Sequence, residues 1–105
     1  MSNNKYYNKK TVVDGHTFDS RKEARRYRDL KIMERAGVIS NLQLQVPFVL
    51  FKHSQYGRVV KYIADFVYEE NGKQVVEDVK GVRTPVYKLK KRVMAELLGI
   101  VIQEI

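Results

Sequence analysis

The dipeptide Asn71-Gly72 constrains this chain more than any other pair of residues. A two-residue hairpin turn needs positive φ at both central positions, and Asn-Gly supplies it. The runs on either side alternate in polarity as half-buried strands do, which predicts strands over Arg58–Glu70 and Lys73–Lys80. The short loop also fixes the register: Glu70 faces Lys73, Glu69 faces Gln74, Tyr68 faces Val75 and Val67 faces Val76. Further from the turn, Phe66 faces Glu77 and Asp65 faces Asp78, with Lys80 on the same face of its strand as Asp78. Like charges opposed across a sheet are destabilising. A divalent cation held by oxygen ligands is the physical reason to keep them there. A lysine beside such a pair binds a phosphate or stabilises developing charge. Together these are the groups that metal-assisted phosphodiester cleavage uses. Glu77 falls on the opposite face and competes with Asp78 only if the register slips. On the long strand, Val60, Tyr62, Ala64, Phe66 and Tyr68 are expected to share one face.

The rest of the chain is read outward from that hairpin. Residues 1–10 lack periodicity and predict a flexible basic tail, leaving 11–105 as one domain. Asp14-Gly15 predicts a small N-terminal hairpin over Thr11–Phe18, with His16 exposed beside its turn. Ser20 and Glu23 have capping-box spacing, and the helix they open runs to about Ala36, stopped by Gly37. Glu23 and Tyr27 lie on the apolar stripe of that helix, so Glu23 points at the sheet and can reach Asp65 and Asp78. It is read both as a cap and as a further acid of the site. Arg21, Arg25, Arg28 and Arg35 form a basic stripe with Lys22 and Arg26 beside it, a surface suited to phosphates. A strand is expected from about Pro47 to Lys52. A second helix, capped by Thr84 and Pro85, runs to about Leu98 with Gly99 as its stop. Its predicted apolar face is Val86, Leu89, Val93, Met94, Leu97 and Leu98. Lys90 sits within that face, as a snorkelling side chain or as a phosphate ligand. Lys88, Lys91 and Arg92 lie outside it and suit backbone contact. Ile100–Ile105 reads as a last strand, parallel to its neighbour if adjacent, because a helix joins the two.

Composition narrows the partners. Lys and Arg number 20 against 12 Asp and Glu, a net charge of +8, which favours a polyanion such as nucleic acid. Cysteine is absent, so disulfides and thiolate metal sites are excluded. His16 and His53 are the only histidines, too few for a His-rich zinc site. No apolar run is long enough to span a membrane and no signal peptide heads the chain, so a cytoplasmic protein without a membrane partner is expected.

Asp65 followed by Asp78-Val79-Lys80 resembles the signature of the PD-(D/E)XK nuclease superfamily, with Ala64 where that pattern often has Pro. The wider run Phe18-Asp19-Ser20, Glu23-Ala24, Tyr27, Gly37-Val38-Ile39, Gln45 and Asp78-Val79-Lys80-Gly81 resembles the phage-encoded DUF1064 family. The superfamily resemblance implies an α/β (α+β) fold with a restriction-endonuclease-like αβββαβ core after the small hairpin. It further implies a magnesium- or manganese-dependent DNA endonuclease, a hydrolase, working in the bacterial host cytoplasm. Asp65, Asp78 and Glu23 would hold the metal, Lys80 would serve the attacking water and the phosphate, and Arg21, Arg25, Arg28, Lys88, Lys90 and Lys91 would contact DNA. Phage members of the superfamily include homodimeric resolvases of branched DNA, so a Holliday junction is an expected substrate. A non-catalytic nucleic-acid-binding module and an RNA-directed nuclease are the alternatives.

Overall fold

The computed structural model describes residues 10–53 and 57–105. The tail expected over residues 1–10 lies outside that range except for Lys10. The Asp14-Gly15 turn forms, with φ of 51° and 79°, and joins strands β1 (Thr11–Val13) and β2 (His16–Phe18). Helix α1 spans Arg21–Arg35, and Ser20 caps it by accepting from the Glu23 N–H at 3.0 Å. Ala36 closes its C-terminus and Gly37, at φ 79°, turns the chain away.

Then come β3 (Ser40–His53), β4 (Arg58–Glu70), β5 (Lys73–Asp78), helix α2 (Pro85–Leu98) and β6 (Gln103–Glu104). The Thr84 hydroxyl caps α2 by accepting from Tyr87 N–H at 3.1 Å, and Gly99 ends it in the left-handed region. After the hairpin the element order is therefore helix, three strands, helix, strand. The larger sheet has the order β3-β4-β5-β6, with β5 and β6 parallel and the other pairs antiparallel. The fold is mixed α+β, with two helices and two sheets.

The hairpin register holds as derived, from Glu70↔Lys73 to Phe66↔Glu77. There the ladder ends. β5 stops at Asp78 rather than Lys80, because the Val79 N–H donates to the Asp65 side chain at 2.9 Å and not to backbone. The first long strand begins at Ser40, well before the expected Pro47. Its early part contains a register shift between Ser40 and Gln43 and a positive φ of 56° at Asn41, so no clean alternation announces it. The last strand shrinks to Gln103–Glu104, which pair with Glu77 and Asp78.

Two apolar clusters flank the sheet. Phe18, Ala24, Tyr27, Leu30, Phe66 and Tyr68 pack between α1 and the sheet, and Tyr62, Ala64, Val76, Tyr87 and Met94 pack beneath α2. Alternate residues of β4 were expected to share one face, yet they divide between these clusters: Tyr62 and Ala64 join α2, Phe66 and Tyr68 join α1. β3 changes over at the same level, with Leu42 and Leu44 on one side and Val46 and Phe48 on the other. Between the rungs Leu44↔Phe66 and Val46↔Ala64 stands Gln45, at φ 53°. A left-handed residue interrupts the pleat, so the sheet presents a different layer beyond it.

The apolar face of α2 also differs from expectation. Tyr87 and Met94 are the residues it buries, while Val86, Leu89 and Leu97 are exposed at 61%, 63% and 58%. The helix carries two apolar stripes, and the one ending in the first-turn tyrosine is the one that packs. No described helix is long and apolar enough to cross a membrane.

Candidate active site

The end of the β4–β5 ladder, the first turn of α1 and the first turns of α2 converge on one cavity of about 380 Å³. Glu23, Asp65, Asp78, Lys61, Lys80 and Lys90 all line it. Each is delivered by a local feature already described. The Ser20 cap sets the start of α1, and Glu23 therefore projects inward and is buried. The Asn71-Gly72 turn sets the register that brings Asp65 and Asp78 together.

Asp78 is buried and well satisfied. Its Oδ2 accepts from the Tyr62 hydroxyl at 2.7 Å and lies 3.1 Å from Lys80 Nζ. The same ammonium sits 3.9 Å from the centroid of the Tyr87 ring, a cation–π contact. Lys80 is thus held between a carboxylate and an aromatic face. Asp65 is less comfortable. Burial, then a side-chain hydrogen bond with Asp78, raise its carboxyl to about 8, against the partial relief of the Val79 N–H. Two carboxyl groups in contact share a proton more readily than both ionise. Burial is also the largest cause of the raised Glu23 carboxyl, followed by the charge of Asp19. Burial and the bond to Asp78 likewise push the Tyr62 phenol up, so it stays a donor.

Glu23 meets the pair through one intermediary: Gln45 Nε2 donates to Glu23 Oε2 at 3.3 Å and to Asp65 Oδ1 at 3.4 Å. The acids therefore stand as two plus one. Among the described residues no group of three or more His, Cys, Asp or Glu is gathered as a finished cage for a metal ion. The donor chemistry nevertheless suits a hard divalent cation: anionic oxygens from separate elements, no sulfur or imidazole, and an acid pair whose mutual repulsion a cation would relieve.

The cationic residues divide. Arg21, Arg25, Arg28 and Lys88 are exposed, as a phosphate-facing surface requires. Lys90 is half-buried with the cavity before it. Lys91 is engaged by Glu104 at 2.9 Å, in a cluster with Arg83 and Tyr87 that ties α2 to β6. Arg26 belongs to the interior rather than the basic stripe. Its guanidinium grips buried Glu77 through two bonds, Nε to Oε1 at 2.8 Å and Nη2 to Oε2 at 2.6 Å. Glu77 thus lies away from Asp78, as the register requires. His16 is exposed and packs edge-on to Tyr27.

Residues 3–99 match the sequence model of a family described as protein of unknown function, DUF1064. The chain belongs to that family. No curated protein matches it. What this DUF1064 chain adds to the sequence reading is Tyr62, Tyr87 and Gln45. Tyr62 and Tyr87 look like core aromatics in sequence, and nothing there reports where their hydroxyl or ring will point. Gln45 entered the sequence reading only within the family resemblance, without a role, and its left-handed backbone has no signal in a glutamine.

Proposed function

We propose that this DUF1064 protein is a divalent-cation-dependent endonuclease that hydrolyses phosphodiester bonds in DNA, on a core of the PD-(D/E)XK type. The observation that carries this reading is the acid pair Asp65/Asp78 with Lys80 beside it, opening into a cavity that two further lysines line. A purely binding surface gains nothing from a part-buried acid pair set against the phosphates it must attract.

Asp65 and Asp78, with Glu23 as a further ligand, would hold magnesium or manganese. Such a cation supplies charge neutralisation for the phosphate and its transition state. Lys80 is kept in place by Asp78 and Tyr87, with its head available to orient the attacking water and to stabilise charge on the pentacovalent phosphorus. Water oxygen bonds to phosphorus as the bond to the leaving oxygen breaks. The water gives up its proton to solvent and the leaving oxygen takes one back. Lys90 and the exposed Arg21, Arg25, Arg28 and Lys88 contact neighbouring phosphates, which provides affinity without sequence choice.

One such site cuts one strand. The exposed stripe Val86, Leu89 and Leu97 on α2 is the kind of surface a second copy covers. A two-fold dimer with two sites suits a four-way junction, the substrate the superfamily resemblance points to. The deciding experiment incubates the protein with a four-way junction, linear duplex, single-stranded DNA and RNA, with magnesium or with EDTA, and measures its mass by light scattering. Asp78→Asn serves as control, since the amide preserves an acceptor for Tyr62. Magnesium-dependent cleavage of the junction by a dimer, lost in the control, is the expected result. A monomer that binds junction and duplex equally removes the resolvase part. Full activity of the control in EDTA removes the nuclease.

A further inference from the structure

Gln45 departs from the conformation its surroundings should impose. It lies inside β3, between two regular rungs, yet its φ is 53°. A non-glycine residue in the left-handed region is strained and persists only where other contacts enforce it. Asn and Asp visit that region readily because their short side chains bond locally, and a glutamine lacks that excuse. Two side-chain hydrogen bonds hold Gln45: its amide nitrogen reaches Glu23 Oε2 at 3.3 Å and Asp65 Oδ1 at 3.4 Å. Those acids come from different layers, one from α1 and one from β4. The level of Gln45 is also where both strands change the cluster they pack into.

From this we infer that Gln45 is a positioning residue, whose strained backbone aims its amide so that Glu23 is tied to Asp65 and counts as part of the cation site. The inference rests on the proposed metal-dependent reading of that site. The amide has two N–H bonds, enough to serve one carboxylate with each. It carries no net charge, so it orients the acids without removing the negative potential that a divalent cation needs. In its absence Glu23 would keep only its place in the first turn of α1, and the acids would be a pair with a detached third.

The test separates backbone from side chain. Glycine adopts φ 53° without strain, so Gln45→Gly relieves the backbone while deleting the amide. Manganese binding to the nucleic-acid-free protein is followed by calorimetry for the wild type, Gln45→Gly, Glu23→Ala and the double variant, with melting temperature recorded in EDTA. Loss of an outer partner of a metal ligand costs about tenfold or more in affinity. Gln45→Gly is expected to lose about tenfold, with a melting temperature equal to or above that of the wild type. If Gln45 acts through Glu23, the double variant binds no more weakly than Glu23→Ala alone. Wild-type affinity in Gln45→Gly, or additive losses in the double variant, overturns the role of Gln45 and leaves the site standing. Absence of manganese binding in the wild type overturns the site itself.

Discussion

Glu77 and Asp78 are adjacent in sequence and almost equally buried, at 1% and 3% exposure, yet the fold treats them in opposite ways. On the α1 side, Glu77 has a dedicated cation: Arg26 binds it with both arms and the Tyr68 hydroxyl donates to it as well. That ion pair is complete, so its charge calls for no further cation. On the other side, Asp78 touches a second acid, Asp65, with a third behind Gln45, and the ammonium of Lys80 pairs with Asp78. A cavity opens in front of them. Glu77 also borders a cavity, of about 340 Å³, so what differs is that only its charge is matched in full by a dedicated cation of the protein. The comparison teaches that burial alone does not mark a functional acid. The mark is the balance of charge around it.

The largest effect expected on the Asp78 side is on the reaction. Asp78→Asn keeps a Tyr62 acceptor and removes one charge, so folding should survive. Cleavage should fall by several kcal/mol of transition-state stabilisation, which is about a thousandfold or more in rate. Single-turnover rates at saturating magnesium measure it. A rate within tenfold of the wild type would mean that Asp78 is as structural as Glu77.

The Glu77 side should show the mirror image. Glu77→Ala leaves a half-buried guanidinium and the Tyr68 hydroxyl without their acceptor, and breaking a buried pair from one end should cost about 3 kcal/mol of stability. The urea midpoint should drop accordingly, while the rate per folded molecule at low temperature stays near the wild type. An unchanged midpoint would abolish the contrast.

Glu23 stands between the two cases, and its replacement by Gln has a smaller expected effect. The Ser20 cap accepts from the Glu23 backbone, which Gln retains, and a capping box tolerates either residue. Melting should therefore move little, by about 0.5 kcal/mol or less. Manganese affinity and cleavage should both fall, by about ten- to a hundredfold, as expected for an altered ligand environment. Wild-type rates in Glu23→Gln would leave it as a cap only.

The two sides were not equally legible in the sequence. The Asn71-Gly72 turn dictated which acids meet, because a two-residue loop permits one register and the strand period is two. The helix bounds followed from Ser20, Gly37, Thr84 and Gly99, whose cap chemistry is local. By contrast, β3 was missed over Ser40–Val46 because Asn41 and Gln45 adopt left-handed φ that only the tertiary fold enforces. Arg26 was placed beside the basic stripe, and its ion pair was not foreseen, because helical spacing gives a direction to the side chain but not its reach to Glu77. The packed side of α2 was read only in part: Val93 and Met94 were placed on it and do pack, but Tyr87 was not, and its place depended on meeting Lys80 and Glu104.

The last effect expected is a slope with pH, and it probes the imbalance directly. The Asp65 carboxyl is raised from 3.8 to about 8, mainly by burial and then by contact with Asp78. The native protein therefore holds a proton that the unfolded chain releases near its ordinary carboxylate value. Between those limits the folded state binds more protons, so stability falls as pH rises. The stability tied to that proton is complete below the unfolded value and gone once pH passes the folded one. Asp65→Asn removes the titration while leaving a carbonyl to accept from Val79 N–H. Without metal, the Asn variant should match the wild type near pH 4 and become progressively more stable than it towards pH 8, in melting experiments with EDTA present. Saturating manganese should remove the Asp65 slope as well, since a bound cation keeps the carboxylate ionised in the folded state. A difference between Asn variant and wild type that is constant from pH 4 to 8 would mean that Asp65 and Asp78 are not electrostatically opposed.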